Sequence, residues 1–283
     1  MMRSVELVKQ LEKDFIFEEL SDDWARYMPE LNDYLSTNFK ERSMGVVCDF
    51  ANEITQVFTA VFPTNEIMQK IIEKDITDAM LFVHHPSIWD IRRPQPFYQM
   101  DQALLDQFRE RRIAIYNLHV PLDNYGEYST SKTLADALNI KIETPFVHYR
   151  GSLCGVVGKT ACKNIDELQH LLSAALGHPV KLYRYGAGSI KDGRIGIVAG
   201  GGNMLDTVSE MIENNLHVLI TGISSNSEAY SEVHEYERKN HINVLGGTHY
   251  STEKFACQKM CTYFERLGLS ASFLEGEPVL EDM

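Results

Sequence analysis

The sequence predicts an α/β fold made of two related halves packed together, each with a mixed sheet flanked by helices. Strand-like apolar runs alternate with helical segments along the 283 residues, a pattern typical of sheets covered by helices. An ungapped shift of the chain also places Val61 on Val198 and Val83 on Ile220, so that both stretches read strand, loop, helix, strand. We interpret this as a weak internal repeat. Two βαβ units that share only their generic pattern are the alternative.

The first half is predicted to open with a helical region that runs to about Leu35. Apolar runs then predict strands, and amphipathic periodicity predicts helices. The strands are expected at 45–50, 56–62, 79–83 and 113–117, and the helices at 65–74 and 99–112.

The second half repeats the alternation. Its strands are expected at 153–157, 180–185, 195–199, 218–221 and 242–245, and its helices at 165–176, 204–214, 227–240 and from Ser251 onward. The best boundary between the halves is Thr144–Pro145. We therefore expect residues 1–144 to form one half and 145–240 the other, with 241–283 as a C-terminal segment that returns to the candidate site with His249 and Glu253. We expect the acidic tail from Glu275 to be loosely held.

His84 and His85 stand side by side at the end of the apolar run 79–83 and lead into Pro86. The carboxyl edge of an open α/β sheet is where sites usually form. Adjacent imidazoles diverge and cannot easily share one ion, so the pair indicates two neighbouring metal ions. A histidine pair that only caps a strand in a polar loop is the alternative.

Two further segments add histidine and carboxylate groups at predicted strand ends. His119 and Asp123 follow the strand at 113–117, and His249 and Glu253 follow a Gly-Gly turn with the i, i+4 spacing of one helix face. Carboxylate oxygens complement imidazole nitrogens for zinc, manganese or iron. His119 is a candidate ligand, a partner of a ligand or a proton-transfer group, and an ordinary loop histidine is the alternative.

Taken together, these segments predict a metal site between the halves that holds two divalent ions per chain. The candidate ligands are His84, His85, Asp123, His249 and Glu253. Five ligands exceed the three that are usual at a mononuclear catalytic zinc and suit two bridged ions. Such a ligand set is compatible with Zn, Mn, Fe, Co or Ni.

Composition limits the partners. The formal charge of −13 argues against a dedicated nucleic-acid surface, which would need clustered positive charge. No apolar stretch approaches the roughly 20 residues of a membrane helix, and the N-terminus lacks a signal-peptide core, so we expect a cytoplasmic protein. The five cysteines form no C-x-x-C pair and are expected to be reduced and mostly buried.

The His-His-Pro segment, the H-x-x-x-D segment and the closing G-x-H-x-x-T-E resemble the Nif-three-like family, whose members are also labelled GTP cyclohydrolase 1 type 2 homologues. The likeness extends over most of the chain and includes 218–222. It implies two related α/β halves, a dinuclear metal site and often a ring-shaped hexamer. In that pattern His84, Asp123 and Glu253 would hold one ion, and His85 and His249 would hold the other with Glu253 as a bridge.

Two departures from the family pattern stand out. The family's D-N-x-G-L-Q-V-G segment is replaced by 48–54, and the central insertion of longer members is absent, because 145–203 is only long enough for the core of the second half. The Gly200-Gly201-Gly202-Asn203 turn could cradle a phosphate or be a simple tight turn. Arg92 and Arg93 could meet a substrate phosphate or be solvated loop charges.

These residues predict a metal-dependent hydrolase that acts on a phosphorylated or nucleotide-like small molecule, with His119 as the catalytic proton-transfer group. A non-catalytic metal-binding or regulatory oligomer is the alternative, since the same ligands would serve it. We expect a homo-oligomer, with the hexamer implied by the resemblance. The metal, the substrate and the oligomeric state do not follow from these residues.

Overall fold

A computed structural model describes all 283 residues. The α-helices are α1 (Ser4–Phe15), α2 (Thr37–Arg42), α3 (Asn65–Ile72), α4 (Gln102–Glu110), α5 (Val120–Asp123), α6 (Thr130–Ala137), α7 (Ile165–Leu176), α8 (Leu205–Glu213), α9 (Ser231–Lys239) and α10 (His249–Arg266). The strands are β1 (Met2–Arg3), β2 (Gly45–Cys48), β3 (Glu53–Ile54), β4 (Gln56–Ala60), β5 (Ala79–Val83), β6 (Ile88–Trp89), β7 (Phe97–Tyr98), β8 (Ile113–Asn117), β9 (Lys141–Tyr149), β10 (Ser152–Lys159), β11 (Lys181–Tyr183), β12 (Arg194–Val198), β13 (Val218–Thr221), β14 (Asn243–Gly246) and β15 (Ser270–Phe273). None of the helices is long and apolar enough to cross a membrane.

The chain divides into two compact units. Unit 1 comprises Met1–Leu122, Arg150–Ser152 and Cys257–Glu277, and unit 2 comprises Asp123–Tyr149, Leu153–Ala256 and Pro278–Met283. The first division therefore falls at Leu122, earlier than the boundary expected at Thr144–Pro145. That dipeptide lies inside β9, where the chain continues as an extended strand.

Unit 1 is built on a five-stranded sheet of order β15-β4-β5-β8-β2. Strands β4, β5 and β8 are parallel and are joined through α3 and α4, and β2 closes the edge in an antiparallel sense. All five residues of β5 are buried, because the strand has neighbours on both sides and helices over its faces. The continuous apolar run at 79–83 follows from this central position.

Unit 2 is built on a six-stranded sheet of order β11-β14-β13-β12-β10-β9. Strands β12, β13 and β14 are parallel and are joined through α8 and α9, and β11 is antiparallel to β14. Each unit thus contains three parallel strands joined by two crossover helices, with an antiparallel strand beside the last of the three; in unit 1, β15 adds a further parallel strand next to β4. This correspondence confirms two related α/β halves.

Local chemistry explains where the helices of both units begin and end. The side chains of Thr64, Asp101 and Asn164 accept backbone N–H groups in the first turns of α3, α4 and α7, which supplies partners that the helix itself cannot provide. Gly177 ends α7 with a φ of 83°. Glycine adopts this left-handed conformation without steric cost, because it has no β-carbon.

Several elements differ from the sequence-based expectation. The helical region expected to reach Leu35 ends as α1 at Phe15 and is followed by short 3-10 turns. The short helices α2, α5 and α6 were not predicted. The last helix begins at His249, not Ser251. The tail expected to be loose is tied down at its end, where Asp282 is fully buried.

Candidate metal centre

His84 and His85 lie directly after β5, as predicted. The backbone N–H of His84 donates to the carbonyl of Ala60 (3.2 Å), and that of His85 donates to the carbonyl of Val61 (3.0 Å). Both residues are almost completely buried, with 0% and 1% of their surface exposed. Buried imidazole nitrogens are normally bound to a partner, and a metal ion is one partner that an unprotonated nitrogen can bind.

The orientation of His84 is fixed by β8 and the residue after it. Nδ1 of His84 lies 2.9 Å from the carbonyl oxygen of Leu118. Because that oxygen can only accept, the proton is assigned to Nδ1, which leaves Nε2 with the lone pair that a metal ion requires. The amide Nδ2 of Asn117 donates to the backbone carbonyl of His84. Asn117, the last residue of β8, therefore holds the backbone of His84, and the next residue, Leu118, holds its ring.

His119 completes a cluster of three imidazoles in unit 1. One nitrogen each of His84, His85 and His119 lie within 4.8 Å of one another, a group that could hold a metal ion. Nδ1 of His119 also lies 2.8 Å from Oδ2 of Asp22 and 3.0 Å from Nε1 of Trp24. The carboxylate accepts a hydrogen bond from a protonated Nδ1, whereas the indole N–H donates a hydrogen bond to an unprotonated Nδ1. The two contacts therefore favour opposite protonation of this nitrogen.

Aromatic side chains confine these rings. Phe62 stacks on His85 with ring centroids 4.8 Å apart and planes inclined by 22°. Trp24 meets His85 and His119 edge-on, at centroid distances of 5.7 and 5.3 Å. Rings packed in this way have little rotamer freedom, so the imidazoles are preorganised.

In unit 2 His249 and Glu253 lie on the first turns of α10, as their i, i+4 spacing predicted. Nε2 of His249 lies 3.2 Å from Oε1 of Glu253, and both side chains are about 95% buried, with 5% and 4% exposed. A buried carboxylate next to a buried imidazole is a donor set suited to a divalent cation. These two residues are brought together within this unit.

Gly200 packs directly against His249 and Glu253. Its φ is 68°, and a β-carbon built there would lie 2.0 Å from Oε1 of Glu253. Its N–H donates to Oγ1 of Thr252 (2.9 Å), and its carbonyl accepts from the N–H groups of Gly222 (3.0 Å) and Ile223 (2.9 Å). The backbone at Gly200 is thus anchored against the Glu253 carboxylate, an approach that only glycine permits.

Asp123 is the last residue of α5 and is partly buried. Its Oδ1 accepts a hydrogen bond of 2.7 Å from the hydroxyl of Thr130, at the start of α6. This contact orients the carboxylate in the same way that hydrogen-bonded neighbours orient metal-ligating carboxylates elsewhere.

The arginines singled out in the sequence have other partners. Arg92 is exposed and pairs with Asp90 at 2.7 Å, and the guanidinium of Arg93 lies 3.5 Å from the ring centroid of Tyr98. These contacts fit the interpretation of solvated loop charges.

Sequence reasoning missed the residues that support the candidate ligands. They are Asp22, Trp24, Asn117 and Asp282. Only Asn117 carried a signal, since it ends the strand that delivers His119. Overall, the buried His, Asp and Glu side chains could hold a metal ion, and their donor types fit one.

Curated relatives of this chain share one name. A GTP cyclohydrolase 1 type 2 homolog of Treponema pallidum is 26% identical over 231 residues, which cover 69% of this chain and 77% of that protein. One of Pyrococcus horikoshii is 26% identical over 227 residues, covering 78% and 85%.

Solved structures share the fold over nearly the whole chain. Protein ybgI, described as of unknown function, has a TM-score of 0.76 at 18% identity and covers 98% of this chain and 100% of its own. HcgD from Methanocaldococcus jannaschii has a TM-score of 0.67 at 19% identity, with 97% and 98% covered. The model of the Duf34/NIF3 (NGG1p interacting factor 3) family matches residues 28–277. The chain therefore belongs to the Duf34/NIF3 family.

Proposed function

We propose that this protein is a dinuclear metal-binding protein and a metal-dependent hydrolase. The ligands would be His84, Asp123 and Glu253 for one ion, and His85 and His249 for the other, with Glu253 bridging. The observation that carries the proposal is the imidazole cluster of unit 1, in which one nitrogen each of the buried His84 and His85 and of the partly buried His119 lie within 4.8 Å of one another. Imidazole nitrogens that converge in this way are ligands suited to a divalent cation.

The chain's own residues support this proposal by what they do to the donors. Because the Leu118 carbonyl faces Nδ1 of His84, Nε2 would be the ligating nitrogen, and Gly200 lies against the Glu253 carboxylate. Two divalent ions held there would polarise a scissile group. They would also lower the pKa of a water molecule to near neutrality, so that hydroxide would be available to attack that group. His119, with Asp22 on Nδ1, would accept or return a proton through Nε2.

The substrate class we propose is a phosphorylated or nucleotide-like small molecule, because paired divalent cations bind phosphate oxygens well. The name GTP cyclohydrolase 1 type 2 homolog carried by the relatives is one version of this. We also propose a cytoplasmic homo-oligomer, with a hexamer as the state that the family resemblance implies. Light scattering on the purified protein measures that state directly.

Metal analysis tests the centre. Protein purified without chelators and then supplied with Mn, Zn, Fe or Co should retain about two ions per chain, and His85→Ala should lose at least one. Fewer than one tightly bound ion in the unmutated protein would exclude the centre. The exposed His170 offers a matched control, because His170→Ala removes an imidazole far from the candidate ligands in sequence and should leave the metal content unchanged.

A screen of phosphoesters, nucleotides and small amides with each metal separates an enzyme from a non-catalytic binder. Turnover that Glu253→Gln abolishes supports the hydrolase. Tight metal binding without turnover on any of these classes supports the alternative, a metal-binding or regulatory oligomer.

A further inference from the structure

The end of the chain reaches the helix that carries two of the proposed ligands. Asp282 lies in a 3-10 turn, Leu280–Asp282, and is fully buried. Its Oδ2 accepts the backbone N–H of His249 at 2.8 Å. The carboxylate of Asp282, the next-to-last residue of the sequence, is therefore buried against the first residue of α10.

This contact completes the start of α10. The first N–H groups of a helix have no partner within it. Oγ1 of Thr248 accepts the N–H of Ser251 at 3.0 Å in the ordinary capping position, and Asp282 takes the N–H of His249. A negative charge at a helix N-terminus is also favoured by the helix dipole.

The direction of the ligand side chains depends on this start. His249 is the first residue of α10 and Glu253 lies one turn later on the same face. If the first turn frays, His249 leaves its helical backbone conformation and its imidazole moves away from Oε1 of Glu253, which now lies 3.2 Å distant.

Asp282 is itself held from the other side. Its backbone carbonyl accepts the N–H of Ser224 at 2.7 Å. Nε2 of His234 lies 3.2 Å from the carbonyl oxygen of Ser224, and Nδ1 of His234 lies 2.9 Å from the buried carboxylate of Glu237. A continuous set of contacts in unit 2 thus leads from α9 through Ser224 to Asp282 and on to His249.

We propose that Asp282 is a positioning residue for the metal ligand His249, and that the segment Pro278–Met283 is a latch whose docking sets the metal affinity. The inference rests on the proposed function for the identity of His249 as a ligand. The effect of Asp282 passes through the backbone of α10.

The test compares Asp282→Ala, which removes the acceptor, with Asp282→Asn, which keeps an oxygen acceptor without the charge. Affinity for Mn²⁺ or Zn²⁺ is measured by competition with a chromogenic chelator. We expect Asp282→Ala to bind roughly tenfold to a hundredfold more weakly, in the range found for residues that support metal ligands, and Asp282→Asn to lie between it and the unmutated protein. Glu277→Ala is the matched control, since Glu277 is an exposed carboxylate of the same acidic tail.

A second readout needs no metal. Amide hydrogen exchange of 249–253 in the metal-free protein should accelerate in Asp282→Ala and not in Glu277→Ala. Unchanged metal affinity in both Asp282 variants would overturn the proposal, even if their melting temperature falls, because a purely structural role predicts that pattern. If Asp282→Ala does not fold, Asp282→Asn decides on the same measurements.

The two proposals fail in different ways. An unmutated protein that binds no metal contradicts the proposed function, and with it the role of His249 as a ligand. Accelerated exchange at 249–253 in that case would still show Asp282 holding the helix start, but metal positioning would be excluded.

Discussion

Gly200 and Glu253 are in direct contact, with the glycine α-carbon turned toward the carboxylate. A β-carbon at Gly200 would lie 2.0 Å from Oε1 and 2.9 Å from the carboxylate carbon of Glu253. No side chain can occupy that space unless the carboxylate moves. The position of one proposed metal ligand is therefore set by the absence of a side chain 53 residues earlier in the sequence.

Gly200→Ala is expected to weaken metal binding by roughly tenfold or more, as for other residues that support ligands. The added methyl displaces Glu253, and the φ of 68° adds about 1–2 kcal/mol of backbone strain. Metal content by mass spectrometry and the urea midpoint measure the two effects separately.

Gly201→Ala is the control for this substitution. Gly201 is exposed, and the nearest atom to its built β-carbon is Cδ1 of Ile223 at 3.9 Å, an ordinary contact. Metal content should stay at the unmutated level. An equal loss in both variants would mean that the turn as a whole, and not the Glu253 contact, is sensitive.

The sequence predicted the candidate ligands better than it predicted the residues that hold those ligands in position, and the reason is physical. Every residue of 79–83 and of 113–117 is buried in the structure, and burial of this kind appears in the sequence as a nearly continuous apolar run. The strand ends that carry His84 and His119 could therefore be located. Asp22 and His119 are 97 residues apart, and nothing in the local pattern around Asp22 selects that partner. Such pairings arise from tertiary packing alone.

Asp22→Ala and Trp24→Phe are expected to move the proton of His119 in opposite directions. Without the Asp22 carboxylate, the Trp24 N–H remains and favours an unprotonated Nδ1. Without the indole N–H, Asp22 favours a protonated Nδ1. Side-chain ¹⁵N chemical shifts of His119 in the metal-free protein distinguish the two tautomers. Identical shifts in both variants would contradict this account of the contacts.

The cysteines should differ in their reaction with iodoacetamide. Cys48 and Cys257 are fully buried, while Cys162 is only partly buried. Burial also raises the pKa of the Cys48 thiol above its ordinary value, which keeps it from forming the reactive thiolate. Peptide mass spectrometry of the folded protein should therefore find Cys162 modified before Cys48. Denatured protein, in which all five should react, is the control.

The His234–Glu237 pair should make stability fall as the pH rises. Burial opposes the charged form of His234, but the Glu237 carboxylate and the Ser224 and Ser225 carbonyls outweigh it, so its pKa lies above the ordinary value of 6.5. Burial raises the pKa of Glu237, against the opposing effect of His234. In both groups the native state holds its proton more tightly than the unfolded state does. Their stabilising contribution is thus present at lower pH and is lost as the pH rises through the raised values.

Urea unfolding at about pH 6 and about pH 8 measures this loss. Replacing both residues together, His234→Gln with Glu237→Gln, avoids leaving one buried charge without its partner. We expect the decrease in unfolding free energy between the two pH values to be smaller in the double variant than in the unmutated protein. His170→Gln removes an exposed imidazole and should leave the decrease unchanged. A double variant with the same pH dependence as the unmutated protein would mean that other groups cause it.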